Sequence, residues 1–268
     1  MWSDVPMVHL RDTLRQVAVR VAREAAELVE TTRRSAVRDV ATKSSATDPV
    51  TAGDRAAERL IRERLAELRP GESVLGEEEG GATAADGVRW VVDPIDGTVN
   101  YLYGFPWYSV SVAAQLDGIT AAGAVVEPAS GRVWSAARDG GATLDGQPLR
   151  ASTAEELELT LVATGFAYRP ERRARQTEVV RHLLTRVRDI RRTGSAALDL
   201  CMVGAGWVDA YFEVGLNPWD WAAGSLVAEE AGAIVELPGT GELGDAVFAA
   251  APGIATGLKG LLLAAGRS

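Results

Sequence analysis

The order of hydrophobic patterns predicts an α/β protein of the α+β kind, with helices packed on a mixed sheet. Three observations carry that expectation. Two stretches with apolar residues every three or four positions open the chain. Consecutive strand-like runs follow without a helix between them, and the second half then alternates strand with helix. The 268 residues can bury a substantial core. They read as one unit over 1–268, with an N-terminal α+β half over about 8–150 and a C-terminal α/β half over about 151–268.

Residues 8–34 place Leu10, Leu14, Val17, Val21, Ala25 and Leu28 on one helix face, with Arg and Glu covering the other. A polar, turn-rich stretch from Lys43 to Asp54 comes next. The second helix runs to about residue 68, with Ala57, Leu60, Ile61, Leu65 and Leu68 inward and Asp54 near its start as cap or dipole partner. Residues 73–80 form a short strand running into Glu77, Glu78 and Glu79. Trp90, Val91 and Val92 form a buried strand that Pro94 and Gly97 end. Residues 108–116 and 119–126 are strands joined at Asp117-Gly118, and 133–137 is another, with turns at Gly140-Gly141 and Asp145-Gly146. The second half gives a strand over 159–166, an arginine-dense helix over 171–187, and a short helix from Gly194-Ser195-Ala196 to Met202. A strand over 208–214 carries Glu213. A helix opens at Trp219-Asp220-Trp221 and runs through Ala231, followed by late strands at 233–237 and 246–251 and a closing helix. There is no internal repeat and no low-complexity linker.

Composition excludes several classes of function. A 47% hydrophobic and 24% charged chain is that of a soluble globular protein. A net charge of −9 disfavours a nucleic-acid surface. The arginines between 169 and 192 are interrupted by acids and leucines at helical spacing, which marks a solvated helix face. The single cysteine, Cys201, rules out an intrachain disulfide framework and a Cys-rich zinc site, and reads as a small buried residue. His9 and His182 sit in amphipathic helices far from the acidic loop in sequence, so histidine-based nucleophilic catalysis has little support. No secretion-type succession opens the chain, and no apolar run reaches the ~18 residues that cross a bilayer. The expectation is a cytoplasmic protein without a membrane partner. Tyr101, Tyr103, Phe105, Trp107 and Tyr108 form an aromatic cluster for core packing or a subunit interface.

The chemistry concentrates in Asp93-Pro94-Ile95-Asp96-Gly97-Thr98-Val99-Asn100. Asp93 and Asp96 offer hard oxygen ligands suited to Mg²⁺. Gly97 lets the backbone approach a ligand closely, and the amides of Gly97 and Thr98 would form an anion-binding pole if they open a helix. Asp, Pro, Gly and Thr are also ordinary turn residues. A rival pattern is the Asp-x-Asp-Gly-Thr loop of haloacid-dehalogenase-type phosphatases, whose first Asp is a nucleophile. Here two residues separate the acids, so on a continuing strand they would not point the same way, which argues against an aspartyl-phosphate.

Together the motifs resemble the inositol monophosphatase family, within the wider lithium-sensitive, magnesium-dependent phosphatase superfamily. Val50-Thr51-Ala52-Gly53-Asp54, Gly76-Glu77-Glu78, the Asp93 to Asn100 loop, and Trp219-Asp220-Trp221-Ala222-Ala223-Gly224 with Glu230-Ala231-Gly232 occur in family order. The resemblance implies a layered α/β/α/β/α sandwich, a homodimer and two to three Mg²⁺ ions per subunit. It places Glu77, Asp93 and the Ile95 carbonyl on the first ion, and Asp93, Asp96 and Asp220 on the second. A third, weaker ion is implied near Glu77. Asp54 and Thr98 would orient or deprotonate a water, Gly97 and Thr98 would hold phosphate, and Lys43 would lie on a mobile active-site loop. Glu213 takes the family's position for binding sugar-ring hydroxyls, and Gly194, Ser195 and Ala196 match the segment lining that pocket. These imply hydrolysis of a polyol monophosphate such as inositol 1-phosphate. Histidinol-phosphate phosphatase is the alternative, with fructose-1,6-bisphosphatase and nucleotide 3′-phosphatase behind it. A catalytically inactive relative kept as an interaction protein is the non-enzyme alternative, but no metal carboxylate is missing.

Overall fold

In the computed structural model, which describes residues 7–36, 40–42, 49–81 and 87–265, strand residues alternate between two buried faces and so build the layers. The first helices are α1 (Met7–Ala36) and α2 (Ala52–Leu68), with a small antiparallel pair, β1 (Val40–Thr42) and β2 (Pro49–Thr51), before α2. A seven-stranded sheet follows. It consists of β3 (Ser73–Gly76), β4 (Val88–Asp96), β5 (Ser109–Leu116), β6 (Ile119–Val126), β7 (Val133–Ala137), β8 (Gly141–Leu144) and β9 (Gln147–Pro148), paired in chain order. Only β3 and β4 pair in parallel; the other neighbours in this sheet are antiparallel. The six-residue α3 (Thr98–Tyr103) separates β4 from β5.

The second sheet holds β10 (Leu161–Thr164), β11 (Asp189–Arg191), β12 (Ala210–Val214), β13 (Ile234–Glu236) and β14 (Ala246–Ala250), in the order β11-β10-β12-β14-β13. Its helices are α4 (Pro170–Leu184), α5 (Ala196–Gly204), α6 (Pro218–Glu230) and α7 (Ala255–Ala265).

Burial assigns each face. Trp90, Val92, Val110, Val112 and Ala124 meet Leu14, Val21 and Ile61 of α1 and α2. The neighbouring Val91, Ala113 and Val125 point the other way, to Leu198, Cys201, Ala223 and Leu226 of α5 and α6. The same helices cover one face of the second sheet through Leu200 and Ala228, against Tyr211, Val247 and Ala249. Val162, Phe212 and Phe248 face Leu183 of α4 and Leu258 of α7. The result is the α/β/α/β/α sandwich. All nine residues of α5 are buried, because it is sandwiched between two sheets.

Several expectations need correction. The strand through Trp90 does not end at Pro94 but runs to Asp96, with a break in register between Asp93 and Asp96. Pro94 is tolerated there because a bulge removes the need for its amide. Asp93 faces Ser111 while Asp96 faces Ser109, so β4 carries one extra residue. That residue brings both aspartates to the same side of the sheet, contrary to the expectation for a continuing strand. The arginine-rich stretch is not all helix either: α4 stops at Leu184, and Asp189–Arg191 form an edge strand. Strand β8 fills the stretch between the two predicted turns and β9 follows the second, and neither is among the expected strands. Of the aromatic cluster, Tyr101 and Tyr108 pack edge to face at 5.2 Å, whereas Tyr103 and Phe105 are exposed. Lys43 lies outside the described residues. Among the described residues no helix is long and apolar enough to cross a membrane.

Candidate active site

Five segments distant in sequence line one cavity of about 260 Å³. Its lining includes Glu77, Asp93, Ile95, Asp96, Gly97, Thr98, Gly194, Ser195, Ala196, Glu213 and Asp220. Glu77 and Asp93 to Thr98 arrive at the carboxyl ends of the parallel pair β3 and β4, where an α/β sheet exposes its loops. Asp54 stands behind Thr98.

Local bonding holds each group. Thr51 caps α2, and its amide and hydroxyl donate to Asp54 Oδ2 at 2.7 and 2.5 Å. Asp54 Oδ1 accepts the Thr98 hydroxyl at 3.2 Å, and the Ile95 carbonyl accepts the same hydroxyl at 3.1 Å. Asp93 Oδ1 accepts the Ile95 amide at 3.0 Å. Gly97 turns the chain with φ of 99°, a conformation that strongly favours glycine. A Cβ there would stand 3.2 Å from the carbonyls of Gly194 and Trp107.

Asp96 ties the end of β4 to the start of α5. Its Oδ2 accepts the Ser195 hydroxyl at 2.6 Å and the Ala197 amide at 2.7 Å, and Oδ1 accepts the Ala196 amide at 3.3 Å. A carboxylate therefore sits on the N-terminus of α5, complementing its free amides. Burial still pushes Asp96 up to about 6, against these hydrogen bonds, and the charge of Glu77 adds to the rise. Asp220, in the first turn of α6, accepts the Asn217 amide at 2.6 Å. Burial, then the charges of Glu77 and Asp96, raise it well above the usual carboxylate range.

Glu213 lines the same cavity from the end of β12. Tyr211 donates its hydroxyl to Oε2 at 2.7 Å, and a Cβ at Gly165 would fall 1.8 Å from that oxygen. Burial pushes Glu213 up to about 7.

The donor set suits a hard divalent cation: carboxylates, two of them raised by burial and then by neighbouring acidic charge, and a main-chain carbonyl. Among the described residues, no group of three His, Cys, Asp or Glu side chains is already arranged to hold a metal ion. His9 is exposed and His182 is half-buried on α4, and among the described residues no histidine lines the cavity. Cys201 is buried, and burial pushes its thiol up, so it is an inert core residue.

The family scan matches the model described as the inositol monophosphatase family over residues 10–265. The chain belongs to the inositol monophosphatase family. It is 51% identical to the inositol-1-monophosphatase SuhB of Mycobacterium tuberculosis over 269 residues, 93% of each chain. It is 41% identical to the Escherichia coli protein called Nus factor SuhB over 221 residues, covering 82% of this chain and 83% of that one. The solved structure of Mycobacterium tuberculosis SuhB superposes with a TM-score of 0.83, at 46% identity, over 95% of this chain and 97% of the other. Membership makes this inositol monophosphatase relative a phosphatase by family.

Sequence reasoning missed part of the wall. Tyr168 and Arg169 before α4, Arg172 in its first turn, Arg192 before α5, and Asp199 within α5 also line the cavity. Asp199 accepts the Thr193 hydroxyl and is raised well above its usual range, chiefly by burial. A polar residue inside an otherwise apolar helix was the available signal. The arginines gave none, because helical spacing describes a face and not what stands opposite it.

Proposed function

We propose that this chain is a magnesium-dependent phosphomonoesterase that hydrolyses inositol 1-phosphate to inositol and phosphate. One observation carries the reading: a single cavity is lined by Glu77, Asp93, Asp96 and Asp220 together with Glu213 and the opening of α5. Glu77, Asp93, Asp96, Asp220 and the Ile95 carbonyl would hold two to three Mg²⁺ ions. Bound there, magnesium supplies Lewis acidity to the phosphoryl oxygens and to a water.

The chain's own residues do the rest. Asp54 is anchored by Thr51 through one oxygen and aligns the Thr98 hydroxyl through the other. That hydroxyl oxygen can accept a hydrogen bond from the attacking water and orient it, while the Asp54–Thr98 pair takes up the proton. The water oxygen bonds to phosphorus as the opposite ester bond breaks in line; the departing alkoxide takes a proton from solvent water, and the Asp54–Thr98 pair returns its own to solvent. The amides of Gly97 and Thr98 serve the phosphate oxygens. Glu213, with Gly194, Ser195 and Ala196, receives the polyol, its carboxylate accepting ring hydroxyls. The exposed Tyr103 and Phe105 support a homodimer as the assembly.

A second reading has its own support. Arg169, Arg172 and Arg192 at the outer wall favour a substrate with a further anionic group, such as fructose 1,6-bisphosphate, over the cationic histidinol phosphate. Phosphate release from all three esters with Mg²⁺, with Asp93→Asn as blank, separates these. Inositol 1-phosphate is expected to show the highest kcat/KM, lost in the variant. Preference for histidinol phosphate overturns the polyol assignment of Glu213, and preference for fructose 1,6-bisphosphate overturns the choice of inositol 1-phosphate. Magnesium binding without turnover of any ester would leave a non-catalytic interaction role, the direction in which the name of the Escherichia coli relative points.

A further inference from the structure

Beneath the loop that carries Glu77, a buried Glu58 pairs with a half-buried Arg62, and neither has a part in the chemistry above. Glu58 stands one helical turn after Asp54 on α2 and is fully buried. Its Oε2 accepts the Glu78 amide at 2.7 Å. Its Oε1 accepts the Glu79 amide at 3.0 Å and Arg62 Nε and Nη2 at 2.9 and 2.7 Å. Arg62 also donates to the carbonyls of Gly80 at 2.5 Å and Val74 at 3.4 Å, on either side of the loop. The Gly76 amide closes the turn on the Gly80 carbonyl at 3.0 Å. A Cβ on Gly76 would fall 2.1 Å from Glu58 Oε1, so only glycine lets the backbone reach this carboxylate.

A buried carboxylate is costly unless paired and hydrogen-bonded, and here a guanidinium and two main-chain amides satisfy it. The amides immediately after Glu77 are therefore committed to the inner side of the loop, while Glu77 itself borders the cavity. Three successive acids repel one another, and this bonding holds them in one conformation. Glu77 is also the one proposed ligand supplied by neither β4 nor its following turn nor α6. Its placement depends on α2, the same helix that presents Asp54.

We propose that Glu58, supported by Arg62, is a positioning residue for Glu77, presetting the loop so that Mg²⁺ binds without first ordering it. This rests on the reading of Glu77 as a magnesium ligand. Glu58→Gln keeps the shape but turns a donor toward the loop amides. Two measurements on the full chain test it: calorimetric Mg²⁺ affinity, and hydrogen exchange of the Glu78 and Glu79 amides. Loss of such a support typically weakens metal binding by about 10–100-fold. The expected result is a weakening of that size, faster exchange of both amides, and kcat near wild type once Mg²⁺ is saturating. Glu127→Gln is the control for a merely structural loss, since Glu127 is likewise buried and bonded, to Trp134 and Ser130. It should lower thermal stability and leave Mg²⁺ affinity unchanged. Unchanged exchange and affinity in Glu58→Gln, or an affinity loss no larger than in the control, overturns the proposal. Should Glu58→Gln not fold, Arg62→Lys is judged by the same two readouts. If Glu77→Gln binds Mg²⁺ as tightly as wild type, the ligand reading fails instead, and amide exchange still decides whether Glu58 sets the loop.

Discussion

The proton on Glu213 is governed by opposing influences. Burial raises its carboxyl to about 7 from the ordinary 4.5, while the Tyr211 hydroxyl and the charge of Arg192 pull it back. The folded protein thus holds this proton more tightly than the unfolded chain. The group's stabilising contribution is present below about 4.5 and is lost as pH rises to about 7. Binding has the opposite sign, because only the ionised form offers all its lone pairs to substrate hydroxyls. The KM for inositol 1-phosphate should fall as pH rises through about 7. Tyr211→Phe, which removes a donor to the carboxylate, should move that midpoint upward, and Glu213→Gln should abolish it. Steady-state kinetics across the range check this, and a pH-independent KM in wild type would contradict it. Asp54 and Thr98 make a separate prediction. Asp54→Asn or Thr98→Ala should lower kcat by roughly 10²–10⁴ with little change in KM, as loss of a general base does.

Helix ends and one bulge turn secondary structure into a site. Thr51 caps α2 and anchors Asp54 in the same motif, so Thr51→Ala should cost about 1 kcal/mol in denaturant unfolding and also lower kcat. A stability loss with unaltered kcat would separate cap from catalysis. Much at this scale was legible in advance. The two long N-terminal helices, the β5–β6 hairpin and the openings of α5 and α6 follow from periodicity and turn residues. The misses have physical causes. Strand β11 has three residues, too few for a period-two signal, and its pairing with β10 is what defines it. The bulge at Asp93 and Asp96 depends on β5, whose Ser109 and Ser111 set the register.

For the whole molecule, the carboxylates on one cavity set a balance between folding and metal. Asp96 rises to about 6 from 3.8, and Asp220 rises as well. In the metal-free protein this costs stability as pH climbs from about 4 to about 6, where the folded state would otherwise keep its protons. A cation bound to the folded state alone restores stability by mass action. Mg²⁺ should therefore raise Tm more at alkaline pH than near pH 5, and a chelator should lower Tm and abolish phosphate release. Thermal melts with and without Mg²⁺ at both pH values check this, and an equal shift at both would contradict it.

By itself the sequence supplied the motifs that resemble the family, the expectation of helices on a mixed sheet, and the acidic residues proposed as ligands. Those depend on residue type, spacing and apolar periodicity, all of which are local. The tertiary structure alone decided that Asp93 and Asp96 share a side, that Glu58 reaches under the Glu77 loop, that Gly165 leaves room for Glu213, and that Asp199 and three arginines border the cavity. Each joins segments far apart in the chain, and their meeting is set by strand register and by helices packed between two sheets.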